Sequence, residues 1–272
     1  MKTYIINLPK DKERREFQEK QLKYFHIYYE FINAVSTSDI SLKTYEEHKY
    51  DWQRPLRDVE VACYYSHQHL WQKIINSNKP ALILEDDVLV SKHLPEILTK
   101  LSSIQNIDYV NLEVVGRKKL ISKESHNISL CHSKLYRLYL DRNGAGGYVL
   151  YPSGAKKLLD LETKIGIGLS DSHINSCYNL LAYQIEPASI IQFSQCALYG
   201  MTPPLDVKSN IDTLKKPKIS IKDKLHFSAK RISAQIRQGI QFIIYIFQGE
   251  KREIKIDKED FIFLKNKDTS NE

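Results

Sequence analysis

Pro80-Ala81-Leu82-Ile83-Leu84-Glu85-Asp86-Asp87-Val88-Leu89-Val90 is the stretch whose reading decides the fold. Apolar residues lead into three consecutive carboxylates, and three more apolar residues follow. The Leu and Ile run at 82–84 reads as a buried strand of a parallel sheet. Adjacent acids do not belong in a dry interior, because an ion buried without a partner neutralises or finds a cation. The strand is therefore expected to cross the core and deliver its acids to a crevice at its C-terminal edge. That edge is where ligands bind in open α/β sheets. Glu85 and Asp87 are two apart, so in an extended chain they share a face and Asp86 takes the other. A turn at Asp86 would divide them differently. Such acids suit a hard divalent cation, Mg²⁺ or Mn²⁺, which takes oxygen ligands and is often shared with substrate phosphates. Asp87 is the first candidate ligand and Glu85 the second.

The surrounding chain has room for this architecture. Its 272 residues allow one α/β domain of about 200 residues plus an appendage. Cys63, Cys131, Cys177 and Cys196 form no CxxC pair, which speaks against a zinc knuckle and for reduced thiols in a cytosolic protein. The N-terminal Met1–Pro9 pattern is a strand and not a secretion signal. No apolar run approaches the roughly 18 residues a spanning helix needs.

On the N-terminal side, residues 3–8 read as a first strand that Pro9 ends, followed by a helix through Tyr24 that Asp11 can cap. Asn7, Arg14 and Arg15 are candidate phosphate or nucleotide contacts; the plain alternative is a solvated, charged first turn. Residues 27–35 resemble a second strand, and 36–58 a surface excursion with one short helix. Residues 58–77 are helical, and His67 is read either as a ligand-orienting group or as an ordinary helix histidine.

On the C-terminal side, a helix near Pro95–Ser102 precedes a strand at 107–112. Glu113 lies just past that strand and is a second crevice carboxylate candidate. Residues 116–134 read as a polar loop, and 135–140 as a short strand. Gly144-Ala145-Gly146-Gly147 allows a tight turn or close approach of backbone to a ligand, but it is not a dinucleotide fingerprint. Asp171 opens a helix expected to reach Leu181. It is either that helix's N-cap or a site residue suited to general-base work. Residues 183–193 read as extended.

The composition then changes. Between Lys215 and Gly239 eight basic residues accompany one acid, Asp223, so this segment alone carries the whole-chain excess of +7. Ala229, Ile232, Ile236, Ile240, Ile243 and Phe247 recur at spacings of three and four. The pattern suits an interfacial helix on an anionic membrane through residues 215–247. The alternative is a helix packed on the preceding domain or in a dimer. Residues 251–272 read as a charged tail with at most one short strand.

Four stretches, taken in order, resemble glycosyltransferase family 25, the lipooligosaccharide and lipopolysaccharide transferases. They are Tyr4-Ile5-Ile6-Asn7-Leu8 with Arg14-Arg15; Ala62–His67 with Trp71; Leu84-Glu85-Asp86-Asp87; and Gly144–Tyr148 leading to Gly154-Ala155 and Leu158-Leu159. Ala145 departs from the family, which commonly has threonine there. The resemblance implies a GT-A-like α/β domain with a mostly parallel central sheet over residues 1–205. It is followed by a basic linker and amphipathic helix (206–250) and the tail (251–272). It also implies inverting transfer of galactose or glucose from a UDP-sugar to a lipooligosaccharide hydroxyl. Glu85, Asp86 and Asp87 become the diphosphate and metal site, with Asn7, Arg14, Arg15, Gly146 and Gly147 on the nucleotide-sugar side. Asp171 is the first candidate base and Glu113 the second.

The partners expected are a nucleotide-sugar donor, a lipid-linked oligosaccharide acceptor and an anionic membrane surface. The expected location is peripheral, on the cytoplasmic face of the inner membrane. Nucleic acid is not expected, since the basic charge is confined and no recognition motif accompanies it. Two rivals remain. One is a metal-dependent phosphoesterase or nucleotidyltransferase using the same acids, and the other is a non-catalytic membrane-surface module.

Overall fold

The computed structural model describes residues 1–130, 132–205 and 221–263. Strand β1 (Lys2–Asn7) is buried from Thr3 onward and leads through helix α1 (Lys12–Tyr24) to β2 (Tyr29–Asn33), its parallel neighbour. Helices α2 (Leu42–His48) and α3 (Asp58–Ser77) carry the chain back across β1. Strand β3 (Ala81–Glu85) then pairs with the other edge of β1, again in parallel. The chain thus leaves β1 on one side and returns on the other. The crevice beyond Asn7 is therefore a topological switch point, the place where such sheets bind ligands.

The acid strand is not continuous. It breaks at Asp86-Asp87, and β4 (Val88–Val90) belongs to a second sheet. After α4 (Leu94–Leu101) come β5 (Tyr109–Asn111) and β6 (Glu113–Val114). The hairpin strands β7 (Lys119–Leu130) and β8 (Ser133–Leu140) follow, then β9 (Gly147–Leu150). Helices α5 (Pro152–Ile165) and α6 (Ser170–Ser176) precede β10 (Ala182–Glu186) and β11 (Ile190–Gln192). Helix α7 (Ile221–Tyr245) and β12 (Gly249–Arg252) complete the described elements. The main sheet has nine strands in the order β12-β7-β8-β10-β5-β9-β3-β1-β2, and the small one has the order β4-β11-β6.

The class is α/β, as expected, but the sheet is mixed and not mostly parallel. Parallel pairing is confined to β2/β1/β3 and β5/β10. Strand β9 lies antiparallel between β3 and β5, and β8, β7 and β12 extend the sheet by antiparallel pairing. The reason for β9 is local. Its first residue, Gly147, pairs with Leu84 near the end of β3, so β9 starts where β3 and β5 finish and must run back against them.

Three further expectations change. Residues 116–134, read as a loop, contain β7; its pairing with β8 carries irregular register shifts, which interrupt the alternation that would have betrayed a strand. The helix expected to reach Leu181 ends at Ser176. Part of the charged tail is packed, with β12 on β7 and Ile254 and Phe261 buried. Residues 206–220, with Lys215, Lys216 and Lys218, and residues 264–272 lie outside the described residues.

Two apolar clusters cover the two faces of the main sheet. Ile83 faces the cluster that holds Trp71, Ala155 and Ile174, from α3, α5 and α6. Leu82 and Leu84 face the one that holds Leu94, Ile97 and Leu98 of α4. By the same alternation Glu85 emerges on the α3 side.

Candidate active site

The three acids of the β3–β4 turn have three different environments. Asp86 is buried, and both its oxygens are engaged. Asn7 Nδ2 donates to Oδ2 at 2.7 Å and Arg14 donates to Oδ1 at 3.0 Å. Two buried glutamines of α1 hold the backbone around it. Gln18 Nε2 donates to the carbonyls of Asp86 (3.1 Å) and Val88 (2.7 Å). Gln21 Oε1 accepts from Val90 N at 3.0 Å. Asp86 thus ties β1, α1 and the turn together.

Glu85 ends a buried chain of polar groups. Trp71 Nε1 donates to Tyr148 Oη at 3.0 Å, Tyr148 Oη lies 2.9 Å from His67 Nδ1, and His67 Nε2 lies 3.3 Å from Glu85 Oε1. The indole can only donate and a carboxylate only accepts. The His67 ring is thus bracketed between the Tyr148 hydroxyl and the Glu85 carboxylate. Gln192 Nε2 donates to the other oxygen at 2.8 Å. His67 is fully buried and not on the helix surface, and both ring nitrogens have partners, so it is a satisfied core histidine that also contacts Glu85.

Asp87 is the unsettled acid. Its Oδ1 is buried without a hydrogen-bond partner among the described residues, and Arg14 is 3.8 Å from Oδ2. Burial, then the Glu85 charge, pushes its carboxyl up to about 7. Glu113, in β6, is 0% exposed and its Oε2 likewise has no partner among the described residues. Burial holds its carboxyl well above the usual range, although Lys119 opposes this, and the charges of Glu85 and Asp171 raise it further. Lys119 is itself buried, donates to Gln184 Oε1 at 2.8 Å, and is brought down to about 8 by burial. Asp171 is half-buried in the first turn of α6 and accepts from Ser172 Oγ at 3.2 Å. It is not the N-cap; Leu169 occupies that position. Burial, with the charges of Glu85, Asp171 and Asp87, pushes the Cys63 thiol up to about 12. Glu85, Asp87, Glu113, Asp171 and Cys63 thus share one electrostatic neighbourhood.

The glycines of the loop before β9 make room for this carboxylate group. Gly146 N donates to Glu113 Oε1 at 3.0 Å. A Cβ on Gly144, whose φ is +92°, would sit 2.2 Å from Glu113 Oε1, and one on Gly146 would sit 2.7 Å from Gln192 Nε2. Gly147 is pressed against Ile190 in the same way. The family's threonine position, Ala145, is buried.

Beside the acids, at the C-terminal ends of β1 and β2, lies a cleft of about 870 Å³, lined by Pro9, Ala34, Val35, Thr44, Tyr65 and His69 among others. Ala34 N donates to Asn7 O at 2.9 Å, which joins cleft and turn. Arg15 does not approach the acids; its guanidinium lies 4.0 Å over the Phe31 ring. Sequence reading passed over Gln18, Gln21, Gln192 and Lys119. The only signal for the first two was a pair of amides three apart on a helix whose neighbouring Phe17 and Leu22 point inward. Cys63, His67 and Glu85 could together offer three ligand atoms within 4.8 Å of one another, as could His93, His132 and Asp260 elsewhere. The first set shares Glu85 with the β3–β4 turn.

The model of glycosyltransferase family 25 (LPS biosynthesis protein) matches residues 1–173. A Haemophilus influenzae protein carrying a provisional glycosyltransferase name is 28% identical over 168 residues, covering 58% of this chain and 56% of that protein. The chain therefore matches just over half the length of this curated relative. Among solved structures, one resembling it is a glycosyltransferase involved in glycosylation of the major capsid of PBCV-1. It is 12% identical, covers 70% of this chain and 92% of that one, and has a TM-score of 0.36. Another is the inositol-1-phosphate CTP transferase of T. maritima, 14% identical, covering 77% and 74%, with a TM-score of 0.37. Likenesses this loose say nothing about chemistry.

Proposed function

The chain belongs to glycosyltransferase family 25, and from that premise we propose that it transfers galactose or glucose from a UDP-sugar to a hydroxyl of a lipooligosaccharide core acceptor, with inversion at the anomeric carbon. The observation that carries this reading is the convergence of Glu85, Asp87, Glu113 and Asp171 at a topological switch point, next to a cleft large enough for a nucleoside. On this reading the nucleoside lies over Pro9, Ala34 and Tyr65, and the diphosphate reaches the β3–β4 turn beside Arg14.

A divalent cation fits the turn. The buried Oδ1 of Asp87 has no donor among the described residues, and Asp87 and Glu85 repel each other. Asp87 is the better ligand, with Glu85 beside it; Asp86 is committed to Asn7 and Arg14. When bound, Mn²⁺ or Mg²⁺ offsets the charge that builds on a departing diphosphate. Arg14 adds a fixed positive charge at the same place. His67 and Gln192 hold Glu85 in one orientation, and Glu113 holds the glycine loop through Gly146 N.

Asp171 takes the proton of the acceptor hydroxyl as that oxygen bonds the anomeric carbon, on the face opposite the UDP. Glu113, the other candidate, is 0% exposed and one of its oxygens is taken by Gly146 N, so it serves better as a structural acid than as a base. We place the catalytic unit in residues 1–205, the basic linker and helix in 206–250 and the tail in 251–272. The site of action is the cytoplasmic face of the inner membrane.

The deciding experiment scores nucleotide release and product mass for a panel of UDP-, GDP- and CMP-sugars, with Mn²⁺ and after chelation. Release of UDP with a glycosylated acceptor supports transfer. Release of phosphate or pyrophosphate instead favours the phosphoesterase or nucleotidyltransferase alternative. Full activity after exhaustive chelation removes the cation. Asp171→Asn is expected to lower kcat by roughly 10²–10⁴ while donor affinity holds; unchanged turnover would remove Asp171 as the base.

A further inference from the structure

Helix α7 is mounted with its apolar side outward. At 3.6 residues per turn, Leu225, Ile232, Ile236, Ile240 and Ile243 fall on one face, and Phe247 follows in the turn just past the helix. All six are exposed, from 51% at Ile240 to 84% at Phe247. The opposite face does the docking, through polar and aromatic groups. Phe227 is buried against Tyr50, with ring centroids 5.6 Å apart. Lys230 Nζ donates to the carbonyls of Tyr50 (2.8 Å) and Asp51 (2.7 Å). Gln238 Nε2 donates to Asp141 Oδ1 at 3.3 Å, and Tyr245 stacks on Tyr139 at 4.4 Å. A helix that only completed the core would be turned the other way.

The charges beside the stripe say what covers it. Arg237 lies to one side of the stripe and Lys224 to the other, while Arg231 sits nearer the docked face; all three are exposed. Arg231 and Arg237 donate to the serine hydroxyls of their own helix, Ser228 at 3.2 Å and Ser233 at 3.3 Å. None of the three cations forms an ion pair with a carboxylate among the described residues. An apolar stripe between exposed cations matches the acyl–headgroup boundary of an anionic bilayer, with the cations reaching up to lipid phosphates. A second copy of this helix would set cation against cation. No helix among the described residues is long and apolar enough to cross a membrane, so the fit is to a helix lying in the surface.

We propose that α7 is a bilayer-docking helix, seating the protein on anionic lipid through Ile232, Ile236, Ile240 and Ile243, through Phe247 just past its end, and through the exposed Lys224, Arg231 and Arg237. The mount also sets which part of the crevice faces the lipid. Lys230 grips the 50–51 segment, Asp51 Oδ2 accepts from Ile167 N at 3.1 Å, and Trp52 lies against Gly168. That 166–168 segment runs directly into α6 and Asp171. The lipid-seated helix is thus braced against the loop on the acceptor side of the crevice, so a lipid-linked acceptor would approach from the side where Asp171 sits. The docking itself does not depend on the donor chemistry.

Flotation of the full chain tests it, with vesicles of phosphatidylcholine alone and with about 30% phosphatidylglycerol added. The wild type is expected to float with the anionic vesicles at least about tenfold more than with the neutral ones. Ile236→Glu/Ile240→Glu is expected to lose roughly a hundredfold in partitioning. Arg231→Ala/Arg237→Ala is expected to lose roughly tenfold or more, and only on anionic vesicles. Circular dichroism and the melting temperature verify that each variant is folded. Three results overturn the proposal. They are no association of wild type with anionic vesicles, association that survives the Ile236→Glu/Ile240→Glu change, and a stable dimer in solution that this change dissolves, which would make the stripe a contact between copies. Loss of sugar transfer with vesicle binding intact would overturn the transferase reading and leave the docking helix standing.

Discussion

The crevice buries charge, whereas α7 exposes apolar surface. Both invert the ordinary partition of residues between inside and outside, in opposite directions. In the crevice, carboxylates at Glu85, Asp87 and Glu113 are crowded until burial raises Asp87 and Glu113. On α7, isoleucines point to solvent while a lysine and a glutamine hold the helix down. Within the folded chain neither arrangement is the most stable available. On the transferase and docking proposals, each would become favourable with a partner of the matching kind, a cation and diphosphate in one place and a lipid surface in the other. The difference should appear when each is mutated. Crevice substitutions should move stability, with signs that depend on how each acid is partnered. Helix-stripe substitutions should hardly move it.

The largest effect is expected at Asp86. Removing its carboxylate in Asp86→Ala takes from Asn7 and Arg14 the acceptor they share and leaves Gln18 and Gln21 to hold α1 to the turn through backbone atoms alone. Breaking a buried charged pair from one side costs about 3–5 kcal/mol. Denaturant unfolding should show a loss of that order. A loss below about 1 kcal/mol would mean that Gln18 and Gln21 hold the turn unaided.

Burial raises the carboxyls of Asp86 and Asp87 alike, but Asn7 and Arg14 oppose it at Asp86. Asp87 Oδ1 has no donor among the described residues, so substitution there is expected to act with the opposite sign. Asp87 titrates at about 7 in the folded chain, above the 3.8 of a free carboxyl. A carboxyl whose folded value is raised binds its proton more tightly in the native state, so without a cation the native state loses stability as pH climbs from about 4 to about 7. Asp87→Asn has no such proton to lose. In chelator at pH 8 it should be more stable than wild type by as much as about 4 kcal/mol, and the two should converge near pH 4. Added Mn²⁺ should then raise the melting temperature of wild type and leave the variant where it was. Two adjacent aspartates would thus be told apart by the sign of their effect. Equal destabilisation by both substitutions would end the assignment of Asp87 as the open ligand.

These contrasts also show what a sequence can disclose. The apolar run of β3 and the acids at its end were legible, because burial and charge are local properties of 81–87. The break at Asp86-Asp87 was not, since β4 leaves for partners in β11, about a hundred residues away in the chain. The direction of β9 was hidden for a similar reason, being fixed by where the glycine loop arrives and not by Tyr148-Val149-Leu150 themselves. Lys119 and Gln192 have no local signal at all; they matter through Gln184 and Glu85, which only the fold brings near. The stripe on α7 could be read from its spacing, but not which face would dock. Phe227 and Tyr245 were as apolar as the residues left outside.

The smallest effect is expected on that outer face, and its smallness is what the comparison requires. Ile236 and Ile240 are each more than half exposed, so replacing both with Glu removes little buried area. Surface changes of this kind move stability by no more than about 0.5 kcal/mol. Glu at position 240 would also lie three residues from Arg237, a spacing at which opposite charges stabilise a helix slightly. Thermal unfolding of Ile236→Glu/Ile240→Glu without vesicles should therefore superimpose on wild type or lie slightly above it. A loss of several kcal/mol would show that the stripe is buried in the folded protein in solution, against another copy or another part of the chain. In that case α7 would obey the usual partition after all, and the crevice alone would stand as the place where the fold gives up stability for a ligand.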